Sequence, residues 1–199
     1  MILGRVLRYA WRWILRPVRT AVEQLDEKQN LWIGFWTVAV FGLLYAIAAL
    51  LLWLAGFLPA FPPVMPITDE DYYLWQTFFT IPWALGSWFV AGVTMHLWNR
   101  LFSREGSLPG ILGLIGPASV VPWFFFTLIP EIGILPIVGP PPPWPDWIDI
   151  ARQIIPSLWM LALFFVATSK VYSTRWLVSL VSAILGSVVF FIFVYLFLR

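Results

Sequence analysis

The sequence contains no cysteine, and a single histidine, His96, among its 199 residues. Without cysteine there can be no disulfide, thiol nucleophile or thiolate metal site. With one histidine, a nucleophile–base dyad or an imidazole ligand set has almost nothing to be built from. Charge is also scarce: Asp, Glu, Lys and Arg make up 11% of the chain, where a soluble domain carries about 25%. No charged residue stands in the middle of any long apolar run. Intramembrane charges are the usual marks of proton and ion pathways, so their absence argues against a coupled pump and against an intramembrane protease. Catalytic, cofactor and metal residues are accordingly assigned to none. The net charge of +2, spread along the chain, excludes nucleic acid as an expected partner. Serine is missing from the start of the chain, the first being Ser87. An Arg-rich, acid-poor beginning otherwise imitates an organelle transit peptide, but those are rich in Ser. Arg5, Arg8, Arg12 and Arg16 interrupt any apolar core near the N-terminus, so no cleavable signal peptide is expected.

What is present is apolar. Hydrophobic residues make up 61% of the chain and its mean hydropathy is +0.85. The fold class expected is an all-α integral membrane protein with five transmembrane helices. Spans are placed at about 31–57, 72–102, 110–129, 150–169 and 176–197. Lys and Arg concentrate in residues 1–30, in the turn after the second span (Arg100, Arg104) and in the turn after the fourth (Lys170, Arg175). That alternation puts the N-terminus in the cytoplasm and the C-terminus outside, in the inner (plasma) membrane. The division is then a cytoplasmic basic amphipathic segment, 1–30, and a five-span bundle, 31–199.

Within the first segment, at about 100° per residue, Arg5, Arg8, Arg12, Arg16 and Arg19 fall in an arc of about 80°. Leu3, Leu7, Trp11, Ile14 and Val18 lie on the other side. The pattern predicts a helix over 1–16 lying in the headgroup layer, its arginines on anionic lipid at the cytoplasmic face. Pro17 separates it from a second short helix. Topogenic charge alone would give the same composition.

Small residues mark close helix approach: Gly42, Ala46 and Ala49; Gly110, Gly113 and Gly116; Ser182 with Gly186 and Ala183 with Ser187. Thr68 and Asp71 read as a capping box for the second span, which accounts for Asp69, Glu70 and Asp71 as helix-start acids rather than a cation site. Pro82, Pro117, Pro122 and Pro156 are expected to kink or open their spans. Glu131 falls in an outer loop, Ile132 to Val138 dips toward the interface, and Pro140 to Pro143 reads as polyproline II. Arg152 is expected to snorkel or to pair with Asp149. His96 and Arg100, four apart, share a face near the cytoplasmic end of the second span. They join the five N-terminal arginines as candidate lipid- or partner-binding residues, against the bland alternative of a His bonded to a neighbouring helix.

The stretch PVRTAVEQLDEKQNLW leading into the first span, then DEDYYLWQTFFTIPWALGSWFVAGVTMHLWNRLF, then SREGS and LPGILGLIGPASVVPWFFFTLIPE, resembles the Yip domain family, the Ypt/Rab-interacting proteins, in its shorter prokaryotic form. The resemblance implies the same five-span plan. Eukaryotic members act in vesicle traffic and organelle membrane shaping and contact small GTPases through a cytosolic N-terminal region. Here that region is basic and lacks their long acidic segment, so GTPase binding is not carried over. The family has no established catalytic residues, and none are transferred.

The expected function is therefore a non-enzymatic membrane-organising or protein-interaction scaffold without a cofactor, its partners the lipid bilayer and a membrane protein or a second copy of the chain. Two alternatives stand beside it. One is a small-molecule or lipid transporter with a cavity lined by Gln76, Ser87, Thr94, Ser119 or Thr127. The other is an accessory subunit of a larger membrane complex, offering the small-residue stripes of the fifth span to a partner.

Overall fold

A computed structural model describes residues 2–59, 67–103, 105–140, 142 and 144–197. Its helices are α1 (Ile2–Leu15), α2 (Pro17–Leu25), α3 (Asn30–Leu54), α4 (Tyr72–Arg100), α5 (Leu108–Trp123), α6 (Ile129–Gly133), α7 (Leu135–Val138), α8 (Asp146–Tyr172) and α9 (Trp176–Phe197). No strand occurs among the described residues. Five stretches are long and apolar enough to cross a bilayer: α3, α4, the run Leu108–Val138, α8 and α9.

Local chemistry sets the helix ends. Arg16 leaves helical geometry (φ −148°) because the residue before a proline is pushed out of the α region. Pro17 then starts α2, where its missing N–H costs nothing. α3 closes with Gly56 at φ +75°, Phe57 N–H bonding to Leu52 O at 3.0 Å and Gly56 N–H to Trp53 O at 3.0 Å, a Schellman stop. Ser107 caps α5, its hydroxyl accepting from Gly110 N–H at 3.1 Å.

α5 is the axis of the bundle. Every residue from Gly110 to Pro122 is buried, with α3, α4 and α8 around it and α9 closing the far side against α4 and α8. Glycine makes this possible where α3 meets α5. A Cβ on Gly34 would lie 2.7 Å from Gly113 O, and one on Gly116 would lie 2.5 Å from Gly34 Cα. The two backbones touch, so dispersion replaces the hydrophobic driving force that helices lack in lipid. Gly42 approaches α4 in the same way, a Cβ there meeting Ala84 Cβ at 3.3 Å.

Three expectations are corrected. The third span does not end near 129: after α5 comes one π-helical turn, Phe124–Leu128, and helix continues through α6 and α7. Glu131 thus sits on a helix packed into the bundle, its side chain 15% exposed, rather than in an outer loop. Thr68 and Asp71 form no capping box. The second span starts at Tyr72 with no side-chain cap bond, and the Thr68 hydroxyl bonds to the Asp71 carboxylate at 3.2 Å instead. The α9 stripe is spent inside the bundle: Ser182 and Ala183 are fully buried, and Gly186 packs on Met95 of α4. Pro82 lies within α4, and helix continues on both sides of it. The loop 60–66, Arg104 and part of the 140–143 proline run lie outside the described residues.

Candidate functional site

α1 and α2 form a hairpin laid across one end of the bundle, against α3, α5 and α8. The sequence pattern of α1 turns out to have three faces rather than two. Val6, Tyr9 and Trp13 face the protein and are buried, Trp13 completely. Leu3, Leu7, Trp11 and Leu15, continued by Val18 and Val22 of α2, are 46–63% exposed and stand outside the hydrophobic core formed by the described residues. The arginines occupy the third face, beside that apolar stripe.

A buried chain of amides fixes the hairpin to the bundle. Trp13 Nε1 donates to Gln24 Oε1 at 2.8 Å. Gln24 Nε2 donates to Asn30 Oδ1 at 3.0 Å and to Gly113 O at 2.8 Å. Asn30 Nδ2 reaches Gly110 O at 3.1 Å. Gly113 O needs this donor. Its helical partner would be the N–H of residue 117, which is proline and has none. Gln24, fully buried, supplies the missing bond from outside α5. Gly113 also keeps the space: a Cβ there would collide with the Asn30 amide.

The five arginines are not equivalent. Arg12 and Arg19 both bond to Glu23, each at 2.7 Å. Arg5 pairs with Glu27 at 3.1 Å, and Tyr9 Oη donates to the same carboxylate at 3.0 Å. Burial and then this bond to Glu27 push the Tyr9 hydroxyl above its usual pKa. The bond from Arg19, with the other arginines nearby, holds the Glu23 carboxyl below the usual range. Arg8 lies over the Tyr9 ring, 5.6 Å from its centroid. Arg8 and Arg16 are exposed and make no ion pair among the described residues.

His96 is placed elsewhere. Its Nδ1 lies 2.6 Å from the Tyr172 hydroxyl at the end of α8, and the Tyr172 carbonyl accepts from Ser103 Oγ at 3.2 Å. One turn away Asn99 Nδ2 donates to Ser182 Oγ at 2.7 Å. The histidine thus ties α4 to α8, and Arg100 closes α4 as its last residue. His96 of this pair meets α8 through Tyr172, while the hairpin rests on α3, α5 and α8.

The opposite end holds a feature that sequence reasoning missed. Arg152 Nη1 bonds to Asp149 at 3.0 Å, as expected, but the side chain does not snorkel. It is 14% exposed and lies 3.6 Å from Glu131. Its Nε donates to Phe126 O at 2.8 Å, and Trp144 stacks against the guanidinium at 5.0 Å. Phe126 lies in the π-helical turn, four residues before Pro130, and its carbonyl takes the Arg152 donor. The signal was available: a proline four residues after a carbonyl in a buried span calls for an outside donor.

Of the residues expected to line a cavity, Gln76, Ser87 and Ser119 are buried. The hydroxyls of the two serines turn back to Ala84 O and Gly116 O, at 3.1 and 2.9 Å. Thr127 offers its carbonyl to Arg152 Nη2 at 3.4 Å, and Thr94 is half-buried. Among the described residues no three His, Cys, Asp or Glu gather as a metal site.

The model of one protein family, the Yip1 domain, matches residues 11–197. No curated protein and no solved structure matches the chain.

Proposed function

The chain belongs to the Yip1 domain family, and from that premise we propose that it is a non-enzymatic scaffold of the inner (plasma) membrane that organises anionic lipid and holds a membrane partner. Its N-terminus lies in the cytoplasm and its C-terminus outside. The hairpin lies in the headgroup layer of the cytoplasmic leaflet. Leu3, Leu7, Trp11 and Leu15 enter the acyl boundary, and Arg5, Arg8, Arg12, Arg16 and Arg19 meet lipid phosphates. His96 and Arg100 form a second contact point for a headgroup or a partner at the same surface.

The observation that carries this reading is the exposed apolar stripe of α1 and α2 beside the arginine face. An exposed apolar stripe, bordered by cations, at the end of a five-span bundle, suits the boundary between acyl chains and headgroups. Each basic residue near an anionic surface contributes about 1 kcal/mol. Fixing the hairpin to the bundle removes the entropy of finding that surface.

The test uses the absence of cysteine. A Leu7→Cys variant of the full chain takes one polarity-sensitive fluorophore, and emission is followed in nanodiscs of rising phosphatidylglycerol content. The reading expects a blue shift that grows with anionic fraction and is lost when all five arginines are Gln. An emission indifferent to both changes would sink it.

A further inference from the structure

The arginine face is already partly occupied, by carboxylates from its own hairpin. Glu23 takes Arg12 and Arg19, and Glu27 takes Arg5. Two acids thus hold three of the five cations, and only Arg8 and Arg16 remain outside ion pairs among the described residues.

These pairs are not what docks the hairpin. Glu23 and Glu27 side chains are 33% and 26% exposed, and exposed ion pairs add little to stability. Docking rests on the buried Trp13–Gln24–Asn30 chain and on Val6, Tyr9 and Trp13 beneath α1. The carboxylates can therefore exchange partners without the hairpin coming apart. They also sit where a headgroup can reach. An open hollow of about 470 Å³ is lined by Arg5, Glu23, Asp26, Glu27, Lys28 and Gln29. A guanidinium in such a hollow can turn from carboxylate to phosphate, since both suit its planar fork.

We propose that Glu23 and Glu27 are internal competitors for lipid phosphate, so that the arginine face engages the bilayer only where anionic phospholipid is dense. This rests on the interfacial reading above and deepens it. At low anionic density the carboxylates, held at fixed short range, keep Arg5, Arg12 and Arg19. At high density several phosphates displace two acids, and the surface then meets five arginines instead of two. The response to anionic lipid is thereby steeper than five independent arginines would give.

The experiment compares the full chain with Glu23→Gln, Glu27→Gln and the double variant, each carrying the Leu7→Cys probe, in nanodiscs of phosphatidylcholine with graded phosphatidylglycerol. The expected result is a midpoint at lower anionic fraction and a shallower curve, with partition strengthened about 5-fold for each arginine released. Asp26→Asn is the control. Asp26 lines the same hollow but makes no ion pair among the described residues, so its removal changes net charge without releasing an arginine. Unchanged midpoints in the Gln variants, or an equal shift in Asp26→Asn, would overturn the competition. If the unsubstituted chain shows no dependence on anionic lipid, the interfacial reading itself fails. If only the Gln variants fail to shift, that reading stands and the competition falls.

Discussion

Replacing Gln24 by Met keeps the length of the side chain and removes its amide. Three buried groups then lose a partner: Trp13 Nε1–H its acceptor, Asn30 Oδ1 its donor, and Gly113 O the donor that stands in for Pro117. A buried polar group left unsatisfied costs about 1–3 kcal/mol, so three of them cost roughly 3–9 kcal/mol if the hairpin stays in place. Fully burying one large apolar side chain contributes about 1.5–3 kcal/mol. The penalty matches or exceeds what Trp13 gains by docking. The hairpin should therefore lift and let all three groups reach water, while the five long helices remain packed. Hydrogen exchange of the full chain in a neutral detergent reads this directly. Amides of α1 and α2 should exchange about 10- to 100-fold faster, at about 1.4 kcal/mol per decade, with α5 near Gly113 following and α9 unchanged. Unchanged protection in α1 and α2 would refute the claim that the amide chain docks the hairpin.

Other substitutions test the rest of the packing. Arg152→Gln strands Phe126 O and leaves Glu131 without its cation, and thermal unfolding in detergent should show a loss of about 3–5 kcal/mol. Glu131→Gln should cost less, because Arg152 keeps Asp149 and both carbonyls; the reverse order would contradict the role given to Arg152. Gly116→Ala drives a Cβ into the Gly34 backbone and should destabilise by about 1–3 kcal/mol. Gly4→Ala, where nothing lies within 4 Å, should leave stability unchanged or raise it by about 0.5–1 kcal/mol. Equal effects at the two sites would remove the argument for backbone contact. Acid should release the clamp on the arginines. Glu23 is held below its usual pKa, so its pairing is fully present above the ordinary carboxylate range and is lost as pH falls through the depressed value. The emission midpoint of the position 7 probe in phosphatidylglycerol nanodiscs should then approach that of Glu23→Gln, a shift that Glu23→Gln itself does not show.

Much of the architecture was legible because it rests on periodicity and length. The long apolar runs marked five helices, and Gly113 and Gly116 announced the crossing that α3 uses through Gly34. In the sequence the third span looks shorter than it is because three prolines and a glutamate look like a loop. Arg152, distant in sequence, replaces the missing donors and neutralises Glu131, so the helix continues. No local pattern reveals that partner. The arginine arc was legible too, but its pairing with Glu23 and Glu27 depends on the angle at which α2 folds back. Trp13 and Gln24 were hidden for a similar reason: a two-faced helical plot has no place for a third face. The α9 stripe showed that some helix comes close, and only the packed bundle shows it is α4.

The central claim is that the docked hairpin lies in the membrane surface with its apolar stripe in lipid. Spin labels at Leu7→Cys and, separately, at Arg8→Cys, in the full chain in phosphatidylglycerol nanodiscs, measure it by collision with oxygen and with a water-soluble nickel chelate. With the hairpin so placed, the label at position 7 should collide mainly with oxygen, below the headgroups, and the label at position 8 mainly with nickel. Equal nickel access at both positions, or neither position meeting oxygen, would contradict it.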